Sequence, residues 1–481
     1  MVAARKSYLD YILRRITNDA SLLAVGFNDA QAKFSYELTP RANISLHVID
    51  GHSTYDRAHP EQVGIFTLVN GAYHFTLAKV NWRYVASDKL LFAATAAYMR
   101  ERFENLNRDR RDLAAGYYGE WLGNANVAWS WTSSGTLEAG WSARRLRDTG
   151  FENRFLNPFA RLIDVHDGTA LRQGGWVQQT WHALNGRLRL SAGTRADAHE
   201  LSPVHPVSPQ ASAGYRITSA TELQLGWGQY VQFPELAVLT APAGGMRLRP
   251  ERSTHYVAAV ERRFGERTRL RVEAYDRDDR DLVARPFLDA RLLNGAIVFP
   301  STLPLFYNSV RGYTRGIQVM AQRRTANRVS GWVSYTLGYA RQRDGLEQTH
   351  YWGPDDQRHL VNAFLAYRFA PSFHLSGKWV YASGAPIPGF FRPEGRNQFF
   401  ISSLRDDVRL DAYERLDLRA DKSFTYDRWK LTLYGELVNA LDHRNLRLAI
   451  LNGVDPSTGR AFLTIDRALP ILPAAGVTLE F

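Results

Sequence analysis

Three groups of residues in this 481-residue chain have side chains of the types that bind metal ions. They are His52, Asp56, His59 and Glu61; His199, Glu200 and His205; and Asp276, Asp278, Asp279 and Asp281. Imidazole with carboxylate suits borderline transition metals, and a set of carboxylates suits calcium. The favoured interpretation is that none of the three groups binds a metal ion. The first two are typical of solvated polar loops, and Arg277 and Arg280 would neutralise the aspartates of the third. We therefore expect no metal site and no cofactor.

Covalent and acid–base catalysis find no support in the sequence. The chain has no cysteine, which excludes disulfides, thiol chemistry and cysteine-ligated metal or iron–sulfur sites. The patterns GxSxG, GxxxxGK, HExxH and the EF-hand spacing do not occur. We expect a protein that binds or transports, not an enzyme.

Alternation of apolar and polar residues is the strongest pattern in the chain. Directly after Asn185-Gly186, a dipeptide typical of a tight hairpin, Leu188 and Leu190 alternate with Arg187 and Arg189. The same period of two recurs at 269–274, 415–421 and 430–437. Each segment is therefore predicted to be a strand with one apolar and one polar face.

Short turns and long polar connections follow each other along the chain. Nine tight turns are predicted near 40–41, 87–88, 134–135, 185–186, 218–219, 265–266, 326–327, 371 and 427. Ten longer connections are predicted at 15–27, 51–68, 104–118, 148–171, 198–206, 233–251, 277–309, 343–356, 384–410 and 445–469. The twenty strands between them run to roughly 10–16 residues, against about five or six in soluble sheets. This predicts an all-β fold, a large antiparallel up-and-down transmembrane β-barrel with a wet lumen and a lipid-facing exterior.

A soluble all-β protein is the alternative fold. A propeller would show a repeat of about 40–50 residues, which the sequence lacks, and a sandwich would have shorter strands. The C-terminal segment agrees with a barrel, because Val477, Leu479 and Phe481 alternate with polar or small residues. A last strand that ends in Phe is what the outer-membrane assembly machinery recognises in barrel proteins generally. We expect these three residues to form the barrel-assembly signal.

Basic residues are in excess, with 60 Lys and Arg against 48 Asp and Glu and a net charge of +12. Two arginine clusters flank predicted external loops: Arg100, Arg102, Arg108, Arg110 and Arg111; and Arg144, Arg145 and Arg147. They suit anionic lipopolysaccharide or an anionic ligand, although interspersed acids favour ordinary lumen and loop charge. Nucleic acid is not an expected partner, because the aromatic residues at strand positions are typical of a membrane girdle: Trp121, Trp129, Trp131 and Trp141.

Several segments, taken in order, resemble the TonB-dependent receptors, plugged 22-strand barrels that import scarce nutrients across the bacterial outer membrane. The segments are 226–234 (GWGQYVQFP), 248–253 (LRPERS), 272–275 (VEAY), 308–316 with RGY and RG, 356–359 (DQRH), 413–419 (YERLDLR) and 429–445 with NALDHRN. Their order across nearly the whole chain carries the resemblance, and they do not identify a ligand.

The resemblance implies one receptor-like barrel domain over 1–481, with about twenty of an expected 22 strands. The family also has an N-terminal plug of about 120–150 residues inside the barrel, preceded by a segment that pairs with the inner-membrane protein TonB. Nothing in the chain corresponds to either, and its first 15 residues lack the apolar stretch of a secretory signal. We expect the C-terminal portion of a longer product, a mis-called start codon or a degenerate copy. TonB is then an expected partner only if the missing N-terminal region exists.

The leading hypothesis is an outer-membrane receptor and transporter for a scarce nutrient, energised through TonB in its full-length form. The expected location is a Gram-negative outer membrane, with outer-membrane lipid, lipopolysaccharide and the barrel-assembly machinery as partners and a monomeric state. The ligand stays open among siderophore, vitamin, glycan and peptide. Two alternatives remain: a passive porin without a plug, and a structural or adhesive outer-membrane protein whose loops bind a surface partner.

Overall fold

The computed structural model of the chain describes residues 1–7, 23–57, 59–155, 161–300, 304–395 and 398–480. Within these ranges the regular secondary structure is almost entirely β-strand, as the period of two predicts. One short α-helix, α1, spans Leu236–Thr240, and a 3-10 turn spans Pro60–Gln62. Neither has the length and apolar character that a helix needs to cross a bilayer.

The strands are numbered in chain order. Their bounds are β1 Val2–Lys6, β2 Leu23–Thr39, β3 Ala42–Arg57, β4 Asn70–Ser87, β5 Leu90–Leu106, β6 Asp112–Thr132, β7 Gly135–Phe155, β8 Arg161–Ala183, β9 Leu188–His199, β10 Val207–Arg216, β11 Thr221–Gln232, β12 Glu251–Phe264, β13 Thr268–Ala284, β14 Arg291–Leu293, β15 Ala296–Val298, β16 Tyr307–Ala326, β17 Val329–Asp344, β18 Thr349–Trp352, β19 His359–Ala370, β20 Phe373–Ala382, β21 Phe391–Pro393, β22 Phe399–Ile401, β23 Tyr413–Thr425, β24 Lys430–Val438, β25 Leu446–Val454, β26 Arg460–Arg467 and β27 Leu472–Glu480.

Across the described ranges, one antiparallel sheet contains twenty strand positions. Each strand pairs with its neighbour in sequence from β1 to β13, and then through β16, β17, β19, β20, β23, β24 and β27. β18 shares a position with β19, because both pair with β17 at different heights. The up-and-down order confirms the predicted fold class.

The nine predicted tight turns all lie between consecutive paired strands. Asn185 and Gly186 illustrate the reason, with φ values of 53° and 76° in the turn between β8 and β9. Asn and Gly tolerate this left-handed backbone better than other residues do. All nine tight turns lie at one end of the sheet, here called the turn end. The long connections lie at the opposite end, here called the external end.

The two faces of the sheet differ as the alternation predicts. On one face, five arginines bond to the acidic residue two positions further along the same strand: Arg195–Asp197, Arg271–Glu273, Arg277–Asp279, Arg415–Asp417 and Arg419–Asp421. The opposite face presents exposed apolar and aromatic side chains, among them Trp121, Trp129, Trp131 and Trp141. The charged face therefore lines the lumen, and the aromatic face is suited to lipid.

Contacts between residues near the two edges of the sheet show that the sheet curls round. Ala24 of β2 packs against Leu472 of β27, although these strands lie near opposite edges of the sheet. At the same end, the Arg57 guanidinium is 3.1 Å from the Asp466 carboxylate. No backbone pairing joins β1 to β27 within the described ranges. Side chains at the external end therefore bring the two edges together.

The strands extend further outward than the predicted connections allow. β8 has 23 residues, about 75 Å along the strand and far more than a bilayer of about 30 Å requires even when tilted. Most of the predicted connections 104–118 and 148–171 is strand, since β5 ends at Leu106 and β6 begins at Asp112. These predictions were wrong because polar composition does not end a strand whose two faces both meet water.

The external connections also carry small sheets of their own. β14 pairs with β15, and β21, β22, β26 and β25 form a four-stranded sheet. The connections at 285–306, 345–358, 383–412 and 439–471 are here called the external layer. Its hydrophobic core contains Ala290, Ile387, Phe391, Ile401 and Ala461. A prediction of plain polar loops missed this packed layer.

The last strand has the predicted alternation. Val477 and Leu479 project outward from β27 opposite Leu433 and Leu431 of β24, and both are exposed. Phe481 lies outside the described residues, as do residues 15–22 of the first predicted connection and residues 8–14 that precede it. The prediction of an assembly signal therefore stays a prediction.

Candidate functional site in the lumen wall

A polar pocket of about 310 Å³ opens on the inward face, at mid-length of β7 and β8 and near the external ends of β9 to β11. Its inward-facing lining is Ser142, Arg144, Arg172, Arg195, Asp197, Ser208 and Tyr230. These residues come from five consecutive strands, so the sheet register alone brings them together.

Three basic side chains form a row across this part of the wall. Arg144 of β7 lies directly opposite Arg172 of β8, which lies directly opposite His199 of β9. Directly opposed residues share a face and their Cβ atoms are about 4.5–5.5 Å apart, so the charges of Arg144 and Arg172 repel each other. An anion placed between them would relieve that repulsion.

The flanking arginines of the pocket have acidic partners. Arg195 donates two hydrogen bonds of 2.7 Å to the Asp197 carboxylate. Arg144 is 3.5 Å from the Glu120 carboxylate, which also accepts a hydrogen bond of 2.7 Å from the Tyr118 hydroxyl. These two arginines are therefore at least partly neutralised.

Arg172 has no ion pair or hydrogen bond to another described residue. Its guanidinium lies 5.3 Å from the centre of the Phe233 ring, which is 3% exposed. The His199 ring also packs on Phe233, and the Leu201 backbone N–H donates a hydrogen bond of 3.1 Å to His199 Nδ1. Because Nδ1 accepts this hydrogen bond, the His199 ring is neutral. Phe233 holds Arg172 in place without neutralising its charge.

The arrangement is suited to binding an anion. A guanidinium offers donors in a planar fork that matches carboxylate and phosphate oxygens, and such charge-assisted hydrogen bonds are the stronger ones. The hydroxyl groups of Ser142, Ser208 and Tyr230 add further donors around the same pocket. The site can therefore select for negative charge, and it lies on the wall that any solute in the lumen would meet.

The first predicted metal group is spread over two environments. His52 and Asp56 project outward from β3, whereas His59 directly precedes the 3-10 turn and Glu61 lies within it, with His59 Nδ1 3.3 Å from the Glu61 carboxylate. In the described ranges, no three His, Cys, Asp or Glu side chains come close enough to hold a metal ion.

The second predicted group is divided between the faces of the sheet. His199 belongs to the inward row, whereas Glu200 accepts a hydrogen bond of 2.7 Å from the Leu171 backbone and is 3.0 Å from the outward-facing Arg145. His205 lies in the connection between β9 and β10. Only His199 therefore contributes to the candidate site.

The third group forms ion pairs, as predicted. Asp279 bonds to Arg277 at 2.7 Å, and Asp278 bonds to Arg280 at 2.9 Å. The two outer members pair with arginines from other segments: Asp276 with Arg315, and Asp281 with Arg249. The four carboxylates also lie on different faces, since Asp276 and Asp278 project outward and Asp279 projects inward.

The arginine clusters are likewise divided. Arg100, Arg102, Arg145 and Arg147 project outward, and Arg144 projects inward. Arg108 donates a hydrogen bond of 2.7 Å to the Val63 carbonyl, and Arg110 occupies a left-handed turn position with φ 56°. The cluster 108–111 thus belongs mainly to a turn between β5 and β6.

Two of the segments that resemble a receptor family, 308–316 and 356–359, have structural roles, whereas 226–234 contributes Tyr230 and Phe233 to the candidate site. Asn308 accepts a hydrogen bond from the Arg249 backbone N–H and donates to the carbonyls of Arg249 and Asp281. Asp356 is buried, accepts a hydrogen bond of 2.7 Å from the Ala340 N–H and binds Arg409. These residues fix the external ends of strands and do not touch the candidate pocket.

The sequence interpretation missed Arg172, Arg195 and Phe233. A signal for Arg172 was present, because the Asn185-Gly186 turn is centred so that Arg172 must oppose His199. Arg144 joins them only through the register of β7 with β8. That register depends on a long external connection and could not be read from the sequence.

The sheet and its lumen define a large up-and-down barrel of the outer-membrane transporter class. The model of the family described as "TonB dependent receptor-like, beta-barrel" matches residues 7–440. The chain therefore belongs to the TonB-dependent receptor β-barrel family. No curated protein sequence matches the chain.

Solved receptor structures share the fold. BauA, the ferric preacinetobactin receptor of Acinetobacter baumannii, is 12% identical with a TM-score of 0.68, covering 96% of this chain and 74% of BauA. A mutant of the ferric enterobactin receptor PfeA of Pseudomonas aeruginosa is 13% identical with a TM-score of 0.70, covering 95% and 70%. The ferripyoverdine receptor of the same organism, bound to ferripyoverdine, is 11% identical with a TM-score of 0.68, covering 99% and 66%. At such low identity, the likeness concerns the fold alone.

Proposed function

We propose that this chain is the barrel of an outer-membrane receptor that takes up an anionic nutrient complex, with Arg172 as the central binding residue. Residues 1–481 then form one barrel domain in a Gram-negative outer membrane. The observation that carries the proposal is the row of Arg144, Arg172 and His199, in which Arg172 has no acidic partner among the described residues.

Membership of the family supports uptake rather than catalysis, and it implies TonB as the source of energy. The solved structures named above are receptors for ferric chelates, which favours an anionic ferric chelate as the ligand class. The passive porin alternative gains no support from these comparisons. The adhesive alternative stays open to the same experiment.

Binding to the refolded full chain tests the proposed ligand class. Tryptophan fluorescence would be titrated with ferric chelates of matched size that are anionic, neutral or cationic. We expect saturable binding of the anionic complex only, and an affinity about tenfold lower in Arg172→Gln, the scale of one lost charge-assisted contact. Arg419→Gln is the matched control, because Arg419 faces the same lumen but is paired with Asp421 and Glu436. Equal binding of all three chelates would overturn the proposal.

Two further measurements separate the alternatives. In the bacterium that carries the gene, uptake of the bound chelate should stop when tonB is deleted. A steady conductance of the refolded chain in planar bilayers, with uptake independent of membrane energy, would instead favour the porin. Background conductance with specific binding to an envelope polymer would favour the adhesive protein.

The last strand is proposed to carry the assembly signal at Val477, Leu479 and Phe481. Val477 and Leu479 are exposed on the outward face of β27, where the assembly machinery could contact them. Val477→Asp with Leu479→Asp should slow insertion by purified assembly machinery. The inward pair Ala474→Asp with Thr478→Asp is the control, and equal slowing by both pairs would argue against recognition of the outward residues.

A further inference from the structure

Two adjoining pockets occupy the outward face of β9 to β13. The first is an apolar groove of about 780 Å³ whose floor contains small residues of β9, β10, β12 and β13: Ala192, Ala211, Ala213, Ala258 and Ala274. The second, of about 660 Å³, lies towards the external end and contains Arg249, Arg252, Arg280 and Arg311. Trp227 and Tyr256 line both pockets, so groove and basic pocket are continuous.

The basic pocket holds more positive charge than its acidic residues neutralise. Arg280 is 2.9 Å from Asp278, and Arg249 is 2.7 Å from Asp281. Arg252 and Arg311 have no ion pair or hydrogen bond to another described residue. The pocket therefore retains two cations beside a lipid-facing surface.

The strand register makes this charge unfavourable without a counter-ion. Arg252 lies directly opposite Arg280, and Arg311 lies directly opposite Arg343. Like charges in such positions destabilise a sheet. A free anion would relieve the repulsion but leave the apolar groove unoccupied. An uncharged lipid would occupy the groove but leave the repulsion between the arginines unrelieved.

We propose that a phosphorylated glycolipid of the outer leaflet binds here, with its phosphate between Arg252 and Arg311 and an acyl chain in the groove below Trp227 and Tyr256. Basic pockets beside lipid-facing surfaces bind anionic headgroups, and aromatic side chains mark the boundary between apolar chain and polar headgroup. The inference rests on the proposed outer-membrane location, but not on any transported ligand.

Native mass spectrometry of the refolded full chain in detergent tests the site. The probes are hexa-acylated lipid A with two phosphates, the same lipid without phosphate, and inorganic phosphate. We expect retention of the phosphorylated lipid only. The double variant R252Q/R311Q should weaken retention by at least about tenfold, the scale of one lost charge-assisted contact. R100Q/R102Q is the matched control, because Arg100 and Arg102 also project outward, seven strands away on β5.

A second variant tests the groove separately from the charge. Ala211→Trp should fill the groove and displace the lipid while leaving the arginines intact, and Ala211 is exposed, so the change does not disturb a packed core. The proposal would be overturned if R252Q/R311Q and R100Q/R102Q lost lipid retention equally, or if the lipid without phosphate were retained as well as the phosphorylated one. It would also be overturned if inorganic phosphate competed with the lipid while Ala211→Trp had no effect on retention. Lipid retention is measured without any transported ligand. A negative result would therefore contradict the lipid site and leave the proposed uptake of an anionic complex untouched.

Discussion

The phenol ring of Tyr275 on β13 lies over Gly316, the residue directly opposite it on β16. A Cβ atom added to Gly316 would lie 2.6 Å from the Tyr275 hydroxyl oxygen and 2.3 Å from the Leu337 carbonyl oxygen. Gly338, opposite Gly316 on β17, is covered by the same hydroxyl. One aromatic side chain therefore fills the space that two successive strands leave empty.

Gly316→Ala should destabilise the barrel by about 1–3 kcal/mol, because the Leu337 carbonyl belongs to a paired strand and cannot move aside cheaply. Urea unfolding in phospholipid vesicles would measure the change. Gly435→Ala is the matched control, since nothing lies within 4 Å of a Cβ at that strand position. Equal effects of the two substitutions would show that the contact with Tyr275 and Leu337 is not what Gly316 provides.

The contact between Tyr275 and Gly316 also shows where sequence reasoning ends. Both residues lie in segments that resemble the family, but the connection between their strands is long and packed into the external layer, so their register cannot be counted from a turn. Arg172 and His199 differ, because the tight turn at Asn185-Gly186 fixes their register. The sequence thus predicted strands, turns and faces well. It could not predict contacts that depend on the external connections, including the row that contains Arg144.

A second relationship stabilises the external layer. The Glu347 side chain is 1% exposed, and its carboxylate lies 2.7 Å from Arg405 and 3.4 Å from Arg291. It also accepts a hydrogen bond of 2.8 Å from the Phe287 backbone N–H. One carboxylate therefore joins three external connections.

Glu347→Gln should loosen the external layer by about 3–5 kcal/mol, because it leaves Arg405 without its nearest counter-charge in a buried place. Hydrogen exchange of the backbone amides in 383–412 would measure the loss. The double variant Arg405→Met with Glu347→Met should cost less, since the buried Arg405 charge is removed together with its partner, while Arg291 loses the same contact in both variants. Lys430→Gln is the control, because the exposed Lys430–Glu480 pair should contribute no more than about 1 kcal/mol. An equally small effect at Glu347 would contradict a central role for this carboxylate.

The external layer should also be more stable in mild acid. Burial disfavours the charged form of Asp406 and raises its pKa to about 6 from an ordinary 3.8, and the repulsion of Asp289 and Glu347 adds to this, despite Arg405 nearby. The folded layer then holds a proton that the unfolded segment releases. Stability from this group is fully present below about pH 4 and is lost as the pH rises to about 6, by at most about 3 kcal/mol.

Hydrogen exchange of 383–412, corrected for the intrinsic effect of pH on exchange, would measure this dependence between pH 4 and pH 7. Asp406→Asn should remove most of it, because the amide keeps the shape of the side chain but does not titrate. Its oxygen can still accept the hydrogen bond of 2.7 Å from the Gly389 N–H. An unchanged dependence in Asp406→Asn would assign the titration to another group.

Two neighbouring residues of β6 test whether the two faces have been assigned correctly. Ala125 projects outward opposite Ala94 and Trp141, and Asn126 projects inward opposite Ala93 and Gly140. Both are exposed, so an arginine at either position would meet no steric obstacle. The two positions differ only in what surrounds them in a membrane.

Ala125→Arg should destabilise the protein in phospholipid vesicles by about 2–4 kcal/mol, because a charge on the lipid face near the middle of the bilayer loses its hydration. Asn126→Arg should change stability by less than about 0.5 kcal/mol, because the lumen is wet and already carries arginines. Urea unfolding, together with the heat-dependent gel mobility of folded barrels, would measure both. In a soluble sheet both positions would meet water and both substitutions would be tolerated. A large effect at Asn126 with none at Ala125 would instead mean that the faces are reversed.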